Sequence, residues 1–492
     1  MPEFSFDHSY ATLPEAFYSP TQPATVPEPY LIKTNETLAD QLGIDLEFLH
    51  SSEAAEFFAG NKMQFNAAPI AMAYAGHQFG GWSPQLGDGR ALLIGEVVDK
   101  NGLRLDVQLK GSGRTPYSRG GDGKAGIGPV LREYIVSEAM AALGVPTTRA
   151  LAAVSTGETI MREEPLPGAI FTRVAQSHVR VGTFQYFAAL DHSTPGNSYV
   201  KTLADYVIDR HYPQARDDTN PYQALLRSII KRQAHLIAQW MGLGFIHGVM
   251  NTDNMQIVGE TIDYGPCAFM DVFHPDKKFS SIDRQGRYAW NNQPNMGLWN
   301  LARLAEALLP LFDEDETIAI QIAETIAGEF MPTFHQRLLE IFSQKVGLPN
   351  SEKIDAFMQS TFIAMTKNKV DFTLFFRRLT QVAGGANSAD FLDLFEEYQA
   401  GQDWLDEWRE LYGKDETSSS ERLKGMQETN PIYIPRNHRV EQAIQAGMNN
   451  DFTLFHELVQ VLSNPFEAQD GFEKYELPPL PSEEVHRTFC GT

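Results

Sequence analysis

Two aspartates and two asparagines fall within one short stretch of this chain, His247 to Gly265. It reads His-Gly-Val-Met-Asn-Thr-Asp-Asn and then Met-Gln-Ile-Val-Gly-Glu-Thr-Ile-Asp-Tyr-Gly. The pattern predicts a tight loop holding Asp253 and Asn254, a short apolar strand at Met255–Val258, a turn, and then Asp263. Carboxylate and amide oxygens brought together by a hairpin suit a hard cation such as Mg²⁺. Asn-Thr-Asp-Asn is also good turn chemistry, so this stretch alone leaves a plain surface turn open.

The elements around it narrow the choice. The spacing is similar to the protein-kinase pattern H-R-D-x-x-x-x-N followed by D-F-G, whose Asn and second Asp hold metal ions. Val249 stands where the kinase base would be, so the pattern departs at one place. Upstream, Gly87-Asp88-Gly89-Arg90 forms a turn, Ala91–Val98 a strand, residues 99–102 a hairpin turn, and Leu103–Leu109 an alternating strand that ends in Lys110. Glycines in a turn, with a lysine on the next strand, are how a kinase small lobe grips phosphates. Gly121-Asp122-Gly123-Lys124-Ala125-Gly126 matches G-x-G-x-x-G in form, but a glycine-rich loop precedes it rather than a strand end, so a dinucleotide fold is set aside. A helix from Pro129 to about Leu143 carries Glu133 and Glu138. These point roughly 140° apart on the helix, so only one can pair with Lys110.

Ala150–Val154 and Thr159–Arg162 suggest a hairpin and Ile170–Val174 a further strand, with Arg173 and Arg180 bracketing the turn that follows. A strong helix at Tyr222–Met241 delivers the chain to His247. Beyond Asp271 the pattern is almost wholly helical. Candidates lie at Gly297–Leu309, Glu316–Glu329, Phe334–Val346, Ile354–Lys367, Phe372–Val382, Ala389–Tyr398 and Val440–Met448.

A chain of 492 residues is long for one core, so two units are expected. Lys+Arg 40 against Asp+Glu 63 gives a net charge of −23, which argues against nucleic-acid or anionic-membrane binding through bulk charge. No apolar run is long enough to span a bilayer, and the acidic start, Met1-Pro-Glu-Phe, lacks the features of a signal or transit peptide. The two cysteines, Cys267 and Cys490, allow neither a disulfide framework nor a cysteine zinc cluster. A cytoplasmic protein of bacterial type is expected.

Gly87–Arg90, the run Gln108-Leu-Lys-Gly-Ser-Gly-Arg-Thr-Pro-Tyr-Ser-Arg119, His247 with Asp253-Asn254, Asp263-Tyr-Gly-Pro-Cys267 and Asn430-Pro-Ile-Tyr-Ile-Pro-Arg-Asn-His438 together resemble the selenoprotein O family of pseudokinase protein adenylyltransferases. The resemblance covers nearly the whole chain. It implies an α+β, two-lobed protein-kinase-like fold, with a glycine-rich, β-containing N-lobe over 1–178 and a large, mainly helical C-lobe over 179–492. It implies that ATP binds reversed relative to kinases and that AMP passes to a Ser, Thr or Tyr hydroxyl of a protein, releasing pyrophosphate. By the same resemblance Gly87, Gly89, Arg90, Lys110, Asp122, Gly123 and Asp263 line the ATP site, and Arg173 and Arg180 hold the phosphates. Asp253 is the proton acceptor, and Asn254 and Asp263 bind Mg²⁺ (Mn²⁺ being the alternative); Glu133 is taken as the partner of Lys110, with Glu138 in reserve. Cys490 sits where the family carries a redox residue, with Cys267 its one internal partner.

Two rivals stand beside this reading: a kinase that passes the γ-phosphate with Asp253 as base, and a nucleotide-binding scaffold without activity. Retention of Lys110, Asn254 and Asp263 together argues against the scaffold, which has no use for metal ligands.

Overall fold

Period-two alternation sorts side chains onto the two faces of a strand, and this protein buries both faces of its sheet. A computed structural model describes residues 5–485, apart from 65, 195 and 414–418. It is a mixed α+β structure. In chain order its strands are β1 (Tyr18–Pro20), β2 (Tyr30–Thr34), β3 (Ile70–Met72), β4 (Gly76–Gln78), β5 (Gly81–Ser83), β6 (Ala91–Val98), β7 (Arg104–Lys110), β8 (Ala125–Gly126), β9 (Arg149–Met161), β10 (Pro165–Ala175), β11 (Phe245–Ile246) and β12 (Ala268–Phe269). The main sheet is antiparallel, in the order β1-β3-β6-β7-β10-β9-β2, with β8 joined to β10. The β6–β7 turn closes where the sequence predicts, because Asp99 Oδ1 accepts from the backbone N–H groups of Asn101 (2.9 Å) and Leu103 (2.8 Å).

Val107 and Leu109 of β7 and Ile170 and Val174 of β10 face one way, against Phe57 and Phe58 of the short helix Ser52–Phe58. The intervening residues face the helix Ile127–Ala142, whose apolar side packs on Ala169 and Phe171. Gln108, Lys110 and Arg173 share that second face, since alternate residues of a strand do. Two late helices, Asn437–Gly447 and Thr453–Leu462, return to pack on Ile127–Ala142 through Val440, Ile444, Phe455 and Leu458. Arg436, 1% exposed, pins this return: it bonds Asp371 at 2.8 Å and also Asp271.

The helical remainder is built on Pro221–Gly242, which Asn220 caps by accepting from the N–H groups of Tyr222 and Gln223. Several sequence expectations need correction. Ala150–Val154 and Thr159–Arg162 are not two strands of a hairpin but parts of the single strand β9, which pairs with β10. Helices Val181–Ser193 and Tyr199–His211 fill a region with no helix expected. The first escapes notice because Phe184, Gln185 and Phe187 are all buried in it, which blurs any one-sided apolar stripe. The expected helix Ala389–Tyr398 stops at Leu392, and a new one, Tyr398–Gly413, begins where it was to end. No helix among the described residues is long and apolar enough to cross a membrane.

The helix Phe330–Val346 ends with Lys345, 2% exposed, its ammonium 4.5 Å from the Phe376 ring centre. Burial pushes this amine down to about 7 from its ordinary 10.5. Between those two values the unfolded chain holds a proton that the folded chain does not, so stability rises with pH across that window. Lys345→Met is therefore expected to stabilise the fold, by on the order of 3–5 kcal/mol at most. The gain should be largest below about pH 7 and vanish above the ordinary lysine value. Denaturant melts of both proteins at pH 6 and pH 10 check this; equal gains at both would contradict it.

Candidate active site

Lys110 at the end of β7 and Arg173 on β10 reach across the second sheet face to one carboxylate. Lys110 Nζ donates to Glu133 Oε2 at 2.6 Å, and Arg173 Nε donates to Glu133 Oε1 at 2.9 Å. Arg173 also donates to Gln108 Oε1 at 3.0 Å. Glu138, the other candidate on the same helix, pairs instead with Arg149 at 2.7 Å. Helical geometry left that choice open, and the sheet register decides it.

Asp263 joins the same cluster from the far side. Its Oδ1 accepts from Lys110 (2.8 Å) and Arg173 (2.7 Å), and its Oδ2 from Arg180 (3.1 Å). Burial alone would raise this carboxyl, but Lys110, Arg173 and Arg180 hold it well below the usual carboxylate range. Glu133 is likewise lowered, its burial outweighed by Arg173 and Lys110. Three cations thus face two lowered carboxylates, with Asp88 and Asp253 also beside Arg180, so the cluster is a dense buried network of both signs. Asp263 sits at φ +62, in the left-handed region that aspartate tolerates better than most. His247 supports it: the buried ring bonds the Ile262 carbonyl at 2.9 Å, and burial lowers its pKa, so it serves as a neutral strut.

Arg180 immediately precedes Val181–Ser193 and links the two aspartates. Its guanidinium donates to the Asp253 carbonyl at 2.7 Å as well as to Asp263, and lies 4.7 Å from the Tyr74 ring centre. Asp253 occupies a single 3₁₀ turn, Thr252–Asn254. No strand follows at Met255–Val258, contrary to expectation; Gln256 makes one isolated bridge to Arg180, and β11 with β12 forms the nearby ladder instead. Asp253 is 8% exposed, and its Oδ2 accepts from Gln78 at 3.3 Å while its Oδ1 has no hydrogen-bond partner among the described residues. Burial pushes its carboxyl up to about 6, against a lowering pull from Arg180.

Asn254 donates through its amide nitrogen to the Val249 carbonyl at 3.0 Å, which presents the amide oxygen as the other end of the group. That oxygen and the ionised Asp263 are a small hard donor set of the kind Mg²⁺ accepts when phosphates and water complete its shell. Among the described residues no group of three or more His, Cys, Asp or Glu is arranged to hold a metal.

The glycine loops on either side of Lys110 pack against one another. Gly87, at φ +65, packs so tightly that a Cβ would fall 2.3 Å from the Tyr117 ring, and one on Gly123, at φ +71, would fall 2.0 Å from the Gly113 carbonyl. Gly89 is equally confined by the Tyr117 carbonyl, at 2.8 Å. The turn Gly87–Arg90 and the loop after Lys110 are therefore one unit, tied by Gly111 N–H to the Arg90 carbonyl at 2.7 Å. Arg90 is half-buried and makes no side-chain hydrogen bond or ion pair among the described residues. Asp122 stands apart, exposed and gripped by both Nη atoms of Arg162 at 2.9 and 3.0 Å. Cys267 is buried in the core, and Cys490 lies outside the described residues.

Sequence reasoning passed over four neighbours. Asp88 is buried 4.0 Å from Arg180, Tyr74 stacks on that guanidinium, Gln78 bonds Asp253, and Gln108 bonds Arg173. Only two left a trace: Asp88 lies inside the Gly-Asp-Gly-Arg turn, and Gln108 shares the strand face of Lys110 by period two.

A sequence model of the family described as protein adenylyltransferase SelO matches residues 1–463. Curated relatives named protein nucleotidyltransferase YdiU include one from Rhizobium johnstonii, 56% identical over 492 residues, covering 99% of this chain and 97% of the relative. Another, from Rhizobium meliloti, is 55% identical and covers all of both chains, and one from Rhodopseudomonas palustris is 54% identical over 99% of each.

Proposed function

This chain belongs to the protein adenylyltransferase SelO family, and on that premise we propose that its AMP transfer takes place at the cluster around Asp263. The protein is a nucleotidyltransferase that uses ATP. The observation that supports this siting is the convergence of Lys110, Arg173 and Arg180 on Asp263 beside the unpartnered oxygen of Asp253. We read the architecture as two-lobed and kinase-like, residues 1–178 forming the small lobe and 179–492 the large one, with the nucleotide in the cleft. Mg²⁺, held by Asp263 and Asn254 with phosphate oxygens, would supply further positive charge where the reaction builds negative charge.

The residues then divide the work. A triphosphate brings anionic oxygens that compete with Asp263 for the three buried cations, so its pyrophosphate end enters deepest, and Arg90 meets it from the glycine turn. Gly87, Gly89 and Gly123 let the turn and the loop after Lys110 pack together as one backbone surface for the nucleotide, where side chains would collide with Tyr117 and Gly113, while Asp122 fixes the loop through Arg162. The α-phosphorus is left facing outward. A Ser, Thr or Tyr hydroxyl of a protein attacks it, its proton passes to the Asp253 carboxylate, the bond to the bridging oxygen breaks, and pyrophosphate leaves. Fixed cations aimed at the developing charge need no reorganisation during the step. A base whose pKa is raised toward the working pH is the better acceptor of that proton.

Gly76 gives a local test. A Cβ there would fall 2.7 Å from Asp253 Oδ1 and 2.9 Å from Leu86 Cδ1. Gly76→Ala is expected to displace the base and slow transfer by roughly 10²-fold, with ATP affinity retained. Unchanged turnover would argue against Asp253 as acceptor. For the reading as a whole, intact-mass analysis after incubation with ATP and Mg²⁺ is the direct test. A mass gain of one AMP supports it, and a gain of one phosphate contradicts it.

A further inference from the structure

Next to Asp253 stands a feature that the transfer of AMP leaves unused. Strands β4 and β5 form a separate two-stranded hairpin whose two-residue turn is Phe79-Gly80. Both turn residues have positive φ, +52 and +86. Turns of this kind favour Asn-Gly or Asp-Gly, and a bulky aromatic with positive φ carries a conformational cost. Strain of this sort collects at functional sites. Phe79 is nevertheless 37% exposed, and Trp82, registered opposite His77, is 44% exposed.

The hairpin is fastened to the turn that carries Asp253. His77 N–H donates to Thr252 Oγ1 at 2.8 Å, Phe79 N–H donates to Asn251 Oδ1 at 3.0 Å, and Gln78 reaches Asp253 itself. Aromatic groups continue outward from it. The His77 ring lies 4.9 Å from Trp82 and 5.3 Å from Trp299, and Phe79 lies 5.3 Å from Tyr288. Arg287 and Arg303 sit over Trp299 at 4.9 and 5.0 Å. Arg303 pairs with Glu306, whereas Arg287 makes no ion pair among the described residues, and its Nε is buried without a partner. Asp283 accepts from the backbone N–H of Arg287 at 2.8 Å, which leaves the Arg287 guanidinium as the cation without an ion pair among the described residues beside this exposed aromatic surface.

We propose that the β4–β5 hairpin, with Trp299 and Arg287 beside it, is the platform on which the acceptor polypeptide lies, its hydroxyl toward Asp253 and an acidic side chain toward Arg287. This rests on the siting of AMP transfer at Asp253. The occupant is an extended segment: among the described residues no further strand lies beside β5 in its sheet, and a peptide can add there through its backbone. Trp82 and Phe79 give sequence-tolerant apolar contact, and Arg287 gives a preference for acidic neighbours of the hydroxyl. Exposed aromatics with an arginine at their edge are the usual anchors of a protein interface.

The test uses the full-length protein, α-labelled ATP, and two synthetic peptides with one serine each, flanked by glutamates or by lysines. The parent should favour the acidic peptide about tenfold, and Trp82→Ala should raise the KM for that peptide by roughly tenfold or more, with the KM for ATP unchanged. Arg287→Ala should erase the preference. Phe79→Gly suits the turn better, so its melting temperature should hold or rise while its peptide KM rises, which a purely structural role does not allow. An unchanged peptide KM in Trp82→Ala and Phe79→Gly, or a parent indifferent to the flanking charge, overturns the platform and leaves the site at Asp253 intact. A parent dimer that Trp82→Ala dissociates, with peptide kinetics unmoved, makes this face a self-contact and also overturns it. Failure of the parent to label any peptide from α-labelled ATP overturns the siting and the platform together.

Discussion

Asp263→Ala is expected to lower AMP transfer by roughly 10³-fold or more and to weaken Mg²⁺-dependent ATP binding. The variant removes the one carboxylate shared by Lys110, Arg173 and Arg180. Lys110 and Arg173 then keep Glu133, and Arg180 keeps Asp88 at 4.0 Å, but the carboxylate common to all three is gone, so the fold itself should lose stability without ligand. Anions that enter the cluster should restore part of it, because whatever binds only the folded state stabilises it. Calorimetry for Mg²⁺–ATP and melts with and without inorganic pyrophosphate separate the two effects. Asp263→Ala with parental turnover would remove Asp263 from the site.

Asp253→Asn should cost roughly 10²- to 10⁴-fold in transfer, the range of a positioned general base, yet leave ATP binding close to parental. The substitution is nearly isosteric and keeps an acceptor for Gln78. It also removes a carboxyl that burial holds against its ionised form, so the variant should be at least as stable as the parent at neutral pH. A loss of turnover with gained or equal stability is the signature of a catalytic role. A parallel loss of both would assign Asp253 to the fold.

Local rules made part of this legible. The β6–β7 hairpin could be read because its alternation, its Asp-Lys-Asn-Gly turn and its terminal lysine are contiguous. The chain is placed in its family by motifs that are likewise short and local. Tertiary geometry was not legible. Local pattern places Arg173 only at one end of a turn, but β10 lies between β7 and β9, so its side chain is 1% exposed against Glu133 and Asp263. Arg180 looked like part of the same turn, but it precedes a helix that the sequence pattern hides. Met255–Val258 is apolar enough for a strand, yet it pairs with residues 179–181 over a single bridge only, because a helix begins at Val181 and the ladder stops. Which carboxylate meets which cation is a matter of sheet register and helix packing, and neither has a local sequence signal.

The central claim concerns which phosphorus of ATP meets the acceptor, and paired labelling measures that directly. The protein is incubated with Mg²⁺ and ATP labelled at either the α or the γ position, and protein-bound label is counted for the parent and for Arg180→Ala. With the pyrophosphate end among the buried cations, α label should appear on protein, γ label should leave as pyrophosphate, and Arg180→Ala should cut the α signal by roughly 10²-fold. Protein-bound γ label without α label would contradict the account.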